Sequence, residues 1–105
     1  MKEYNLIVSK RAENDIEKII ERKKEFGTYE NNINKFLLEI DFCYERLENS
    51  PRSGSDLSTR VRRKTNKKYF VLDNRYLMIY EIYANNNVKV SRIIDGKSNW
   101  QRLNL

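Results

Sequence analysis

Between Lys67 and Ile94 the chain switches three times between strand-forming and turn-forming chemistry, and this stretch limits the fold more than any other. Tyr69–Leu72, Arg75–Tyr83 and Val88–Ile94 are rich in β-branched and aromatic side chains, which suit a pleated, packed surface. Asp73-Asn74 and Ala84 to Asn87 interrupt them. Asp and Asn favour turns because their short polar side chains satisfy the nearby backbone. The pattern predicts an antiparallel meander. A two-residue loop at Asp73-Asn74 sets Leu72 opposite Arg75, Phe70 opposite Leu77 and Lys68 opposite Ile79. A four-residue loop at Ala84 to Asn87 sets Tyr83 opposite Val88 and Ile79 opposite Arg92.

Side chains alternate along a strand, so this register sorts them into two faces. One collects Phe70, Leu72, Leu77, Ile79, Val88, Val90 and Ile94 and requires a cover of helices. The other collects Tyr69, Val71, Tyr76, Met78, Tyr80, Ile82, Lys89, Ser91 and Ile93. That second face is aromatic and amphipathic. It suits either a partner surface or an ordinary half-buried sheet with Tyr hydroxyls in water.

The first half of the chain supplies the cover. Tyr4 to Val8 is a short strand that adds to the meander. Ser9 caps a helix in which Ala12, Ile16, Ile19 and Ile20 recur at helical spacing, with Phe26 near its end. Gly27 stops it, since glycine accepts the left-handed conformation beyond a helix end. Thr28 caps the next helix. There Tyr29, Ile33, Phe36, Leu37, Ile40, Cys43, Tyr44 and Leu47 trace one apolar stripe to Asn49. The short turn between Ser9–Phe26 and Thr28–Asn49 predicts an antiparallel hairpin, packed on the face bearing Phe70, Leu77, Ile79 and Val90. The expected fold is α+β: an N-terminal strand, a helical hairpin, a three-stranded antiparallel meander completing a four-stranded sheet, and a short C-terminal tail. Residues 1–105 form a single domain in this reading, a length that supports one modest core. Trp100 and Leu103 pin the tail to it.

Ser50-Pro51-Arg52-Ser53-Gly54-Ser55 is the loop with strong breaker chemistry. Beyond it come Arg60, Arg62, Arg63, Lys64, Lys67 and Lys68, with no acidic residue among them. Such a run is either a solvated edge or a phosphate-binding rim. The formal net charge of +6 makes an anionic partner the natural expectation.

Other chemistry is excluded by composition. The chain has no histidine and one cysteine, so an internal disulfide, a Cys/His zinc site and an imidazole-based triad are ruled out. Cys43 lies on the apolar stripe, where burial keeps a thiol inert. No metal site or cofactor is expected. No apolar run approaches membrane-spanning length and no signal-peptide pattern is present, so the expectation is a cytoplasmic protein with no membrane partner.

The order of elements and several local motifs resemble the RelE/ParE superfamily of bacterial toxins. Ala12-x-x-Asp15-Ile16-x-x-Ile19 followed by Phe26-Gly27 is similar to the first helix and turn of ParE-type members. Leu47-x-x-Ser50-Pro51-Arg52-x-Gly54 resembles the loop leaving the second helix. Tyr76 to Ile82 resembles the third strand. Val88 to Trp100, with Arg92-Ile93-Ile94-Asp95-Gly96, resembles the closing strand and tail.

The resemblance implies a toxin of a type II toxin–antitoxin system, neutralised by a cognate antitoxin. It leaves two targets: DNA gyrase, poisoned by characterised ParE proteins, and the ribosome with its mRNA, where RelE-like members act as nucleases. The basic positions of those nucleases match Phe70, Leu72 and Leu77 here, and the histidine many of them carry near the end of the last strand matches Asp95. Both departures disfavour cleavage. If the chain is a nuclease, Arg92, Tyr80, Tyr76 and Lys97 are the candidate catalytic residues, yet they include no obvious proton-transfer pair near neutral pH. A noncatalytic gyrase poison is therefore favoured, with a relic that only binds its antitoxin as a third class. Target-binding candidates are Arg62, Arg63, Lys64, Lys67, Lys68, Lys97, Trp100 and Arg102. Tyr69, Tyr76, Met78 and Tyr80 are the expected antitoxin-binding face.

Overall fold

The computed structural model describes residues 3–27, 30–61 and 64–98. The chain runs β1 (Asn5–Val8), α1 (Lys10–Glu25), α2 (Glu30–Asn49), β2 (Ser55–Asp56), β3 (Lys68–Leu72), β4 (Tyr76–Tyr83) and β5 (Asn87–Asp95). Pro51–Ser53 and Leu57–Thr59 are single 3-10 turns flanking β2. All strands join one sheet in the order β1-β5-β4-β3-β2. It is five-stranded rather than four-stranded, and mixed: β1 runs parallel to β5 while the remaining pairs are antiparallel.

Helix limits follow local chemistry. The Ser9 hydroxyl accepts from the Ala12 N–H, satisfying a donor that the first turn of α1 leaves free. Gly27 ends the helix with φ of 69°, a conformation that penalises any side chain. The Thr28 cap and Tyr29 lie outside the described residues. Of the apolar stripe on α2, Ile33, Phe36, Ile40, Cys43 and Leu47 are buried and Leu37 is at the margin, whereas Phe26 at the end of α1 stands almost free. Burial pushes the Cys43 thiol pKa up, as expected for a structural cysteine.

The sheet register departs from the expected one. Leu72 faces Tyr76, not Arg75, and Phe70 faces Met78, not Leu77, so Arg75 belongs to the loop. Asp73 and Asn74 both take positive φ, and the Arg75 N–H closes the turn on the Leu72 carbonyl. One residue of slip moves every β4 side chain to the other face. The helix-covered core therefore holds Tyr76, Met78 and Tyr80 beside Phe70 and Leu72, while Leu77, Ile79 and Ile94 lie on the far side with Tyr69 and Leu57.

The first loop is thus one residue longer than expected, and the second is one residue shorter. Tyr83 faces Asn87, with Asn85 and Asn86 at positive φ. A β-bulge then shifts the register between Ile79 and Tyr80: Ile79 faces Arg92, Tyr80 faces Val90, and Ser91 has no opposite residue. The bulge restores the expected Ile79–Arg92 pairing. It also turns β5 over, so that Val88, Val90 and Ile93 all reach the helix-covered core despite their mixed parity.

Candidate functional site

Two polar side chains, one capping α1 and one on it, hold the bulge. The Ser9 hydroxyl donates to the Ser91 carbonyl at 2.9 Å. Asp15 lies farther along the helix. Its Oδ2 accepts from the Ile93 N–H at 3.0 Å and from Arg92 Nε at 2.8 Å, and Oδ1 accepts from a second Arg92 nitrogen at 3.3 Å. Arg92 is thus committed to a two-pronged, partly buried ion pair.

The next charged pair lies at the end of β5. Arg75 donates through two nitrogens to Asp95 Oδ2, the shorter contact being 2.8 Å. That guanidinium holds the Asp95 carboxyl below the usual carboxylate range. Gly96 sits against the Arg75 carbonyl so closely that a Cβ would collide with it.

These pairs border a hollow of about 250 Å³ between α1 and the end of β5. Ile19, Tyr76, Ile93 and Ile94 supply its apolar lining, and Lys18 and Arg22 stand at its rim on α1. A second hollow of about 270 Å³ shares Arg22 and Tyr76 with the first and is bordered by Phe26, Lys23 and Arg75. Phe26 is 80% exposed there. Lys23 is occupied: it pairs with Asp73 at 2.9 Å and lies over the Phe36 and Tyr76 rings.

Of the expected nuclease residues, Arg92 and Tyr76 border the same hollow, whereas Tyr80 and Lys97 are not among its lining. Tyr80 is wholly buried and its hydroxyl donates to the Pro51 carbonyl. Burial pushes its pKa up to about 12, away from any use as an acid near neutrality. Tyr76 is buried edge-on against Phe36. Lys97 is exposed past β5, where its backbone N–H donates to Asp95.

The same burial corrects the expected antitoxin face. Tyr76, Met78 and Tyr80 form core beneath the helices, because the one-residue slip turned them inward. Tyr69 is buried on the opposite face, where Arg60 stacks on its ring and donates to its hydroxyl at 2.7 Å.

Within the basic run, Lys64 is exposed and Lys68 half-buried on β3. Lys67 pairs with Glu81 at 3.7 Å. Arg62, Arg63, Trp100, Leu103 and Arg102 lie outside the described residues. No group of three or more potential metal ligands occurs among the described residues. Within them, no helix is long and apolar enough to cross a membrane.

Sequence reasoning gave no role to Asp15, Lys18, Arg22 or Arg75. For the α1 residues a signal existed. Asp15, Lys18 and Arg22 follow helical spacing and share one face of α1, a polar stripe beside the apolar one. Nothing in that spacing says which strand lies opposite.

The ParE toxin family of type II toxin–antitoxin systems, parDE, has a model that matches residues 6–100. No curated protein matches the chain by sequence. A solved structure described as the chromosomal ParDE TA system from P. aeruginosa is similar in fold, with a TM-score of 0.67. The two chains are 12% identical, over 88% of this chain and 95% of that one.

Proposed function

Because this chain belongs to the ParE toxin family of type II toxin–antitoxin systems, we propose that it arrests growth by noncatalytic poisoning of DNA gyrase and is silenced by a cognate antitoxin. The observation that carries the noncatalytic part is the engagement of Arg92. A nuclease needs a cation free to meet charge developing on the reacting phosphate. Here the carboxylate of Asp15 neutralises that cation and fixes its direction. Tyr80, the other principal candidate, is sealed in the core with its hydroxyl bonded to a backbone carbonyl. Those side chains act in the fold, and toxicity then rests on surfaces.

Lys64, Lys67, Lys68 and Lys97, with Arg62, Arg63, Trp100 and Arg102 beyond the described residues, are the proposed target-binding residues. The net charge of +6 and the exposed Phe26, Leu38 and Phe42 suit an antitoxin segment that is acidic and amphipathic.

Purified toxin is tested in a gyrase supercoiling reaction and, in parallel, with ribosomes programmed by mRNA. The expected result is inhibited supercoiling with intact message. Cleavage at the ribosomal A site with gyrase unaffected would overturn the proposal. Arg92 would then be the first residue to examine for release from Asp15.

A further inference from the structure

The outer side of α2 carries a pattern that the gyrase reading does not use. Asn31, Lys35, Leu38, Phe42, Glu45 and Asn49 recur at alternating steps of four and three, the spacing of a coiled-coil seam. All six are exposed, on the side of the helix opposite the buried Phe36, Ile40 and Leu47. Leu38 and Phe42, at the middle of this strip, are 68% and 63% exposed. Large apolar side chains left together in water mark a contact surface. No intramolecular ion pair engages Lys35 or Glu45 among the described residues.

The strip is its own complement. Turned end for end about a two-fold axis level with Ile40, a second α2 sets Leu38 against Phe42, Lys35 against Glu45 and Asn31 against Asn49, each pair occurring twice. We propose that the free chain pairs with a second copy of itself through this strip, as antiparallel α2 helices with an apolar centre, an ion pair on either side and amides at both ends. A second copy fits better than an acidic partner, because one Lys against one Glu leaves the strip no excess of cation for carboxylates to meet. Leu38 and Phe42 would suit either occupant, and the charges beside them distinguish the two. At 1.5 Å per residue the 20 residues of α2 span about 30 Å. A contact along one helix of that length is at the small end of specific interfaces, so the expected dissociation constant is roughly micromolar or weaker. The exposed Asp41 of each copy lies on the same flank near the axis, and their repulsion also keeps the affinity low.

The test is analytical ultracentrifugation of the full chain without antitoxin, from roughly 1 µM to 1 mM. Lys35→Glu and Glu45→Lys are run singly, as an equal mixture of the two variants, and combined in one chain. Leu38→Ser with Phe42→Ser removes the apolar centre. All these side chains are exposed, so folding is retained and is checked by thermal melts.

Wild type is expected to show a concentration-dependent equilibrium between monomer and dimer. Lys35→Glu and Glu45→Lys each set like charges opposite one another twice and should weaken it about tenfold, although they shift the net charge in opposite directions. The mixture and the combined variant should recover association, because both restore opposite charges across the seam. The variant without Leu38 and Phe42 should stay monomeric throughout. A wild-type chain that is monomeric over the whole range would overturn the proposal. So would a dimer that the strip variants leave intact, or a mixture that fails to recover. Calorimetric titration with purified cognate antitoxin is the second arm. A monomeric wild type whose Leu38→Ser with Phe42→Ser variant lost the antitoxin would assign the strip to that partner instead.

Discussion

Arg92 on β5 and Asp15 on α1, 77 residues apart in sequence, are joined by two hydrogen bonds, and the same carboxylate accepts the Ile93 N–H. One side chain thereby satisfies a guanidinium and a backbone donor just past the bulge at Ser91. A strand that has lost a residue from its ladder needs such support, because the irregular backbone exposes groups the regular ladder would pair. The ion pair is a fold-forming contact between the helix and the strand it covers.

Removing Asp15 leaves both partners unmatched in a partly buried position. Asp15→Ala is expected to cost about 2–3 kcal/mol, below the range for a fully buried pair because some solvent reaches it. Asp15→Asn keeps an acceptor for the Ile93 N–H and should cost roughly half as much. Urea denaturation of the two variants checks the order. Equal losses would mean that the backbone bond contributes nothing.

Tyr80 should betray its burial in alkaline solution. Its folded pKa is raised from 10.0 to about 12. An acid with a raised folded pKa favours the protonated native state, so that stabilisation is whole below the unfolded value near 10 and is lost as pH rises through about 12. Tyr80→Phe should lower stability by about 1 kcal/mol at neutral pH, through loss of the bond to Pro51. It should also flatten the alkaline limb of a melting-temperature profile. Gyrase inhibition per folded molecule should be unchanged, since the hydroxyl meets no target in the noncatalytic reading.

The α2 stripe carries the core. Phe36→Ala or Ile40→Ala is expected to cost roughly 2–5 kcal/mol, since both side chains are buried and the space left cannot fully close. Chemical denaturation measures it, and a loss of under about 0.5 kcal/mol would be the behaviour of a surface position.

Charge on the basic segment should act in shares. Lys67→Gln with Lys68→Gln is expected to weaken toxicity gradually rather than abolish it, because each half-buried charge supplies part of a summed field. Lys67 already spends part of its charge on Glu81, so Lys68→Gln alone should account for more of the change than Lys67→Gln alone. Growth arrest at graded expression levels distinguishes the two. Complete loss of toxicity from either single substitution would point to a specific contact.

Local chemistry was enough to place every helix and long strand. The Ser9 cap, the Gly27 stop and the α2 stripe follow from rules acting within a few residues, and the structure keeps them. The two-residue β2 escaped because Ser55-Asp56 has no strand character of its own and exists only through pairing with β3. Register failed for a different reason. Tyr76-Leu77-Met78-Ile79-Tyr80 is buried at every position, so alternation carries no contrast to say which half faces the helices. Tyr76, Met78 and Tyr80 were expected on the outer face on that account.

What the amino-acid order settled by itself was the set of elements, the α+β class, the absence of imidazole and disulfide chemistry, and the family resemblance. Each depends on residue identity or on spacing within one element. Tertiary structure decided which side of β4 lies under the helices, since one residue more or less in the Asp73–Arg75 loop reverses it. It also decided that Arg92 meets Asp15 and that Lys18 and Arg22 border the end of β5. Those contacts join α1 to the far end of the chain, and no periodicity within either segment encodes the distance between them.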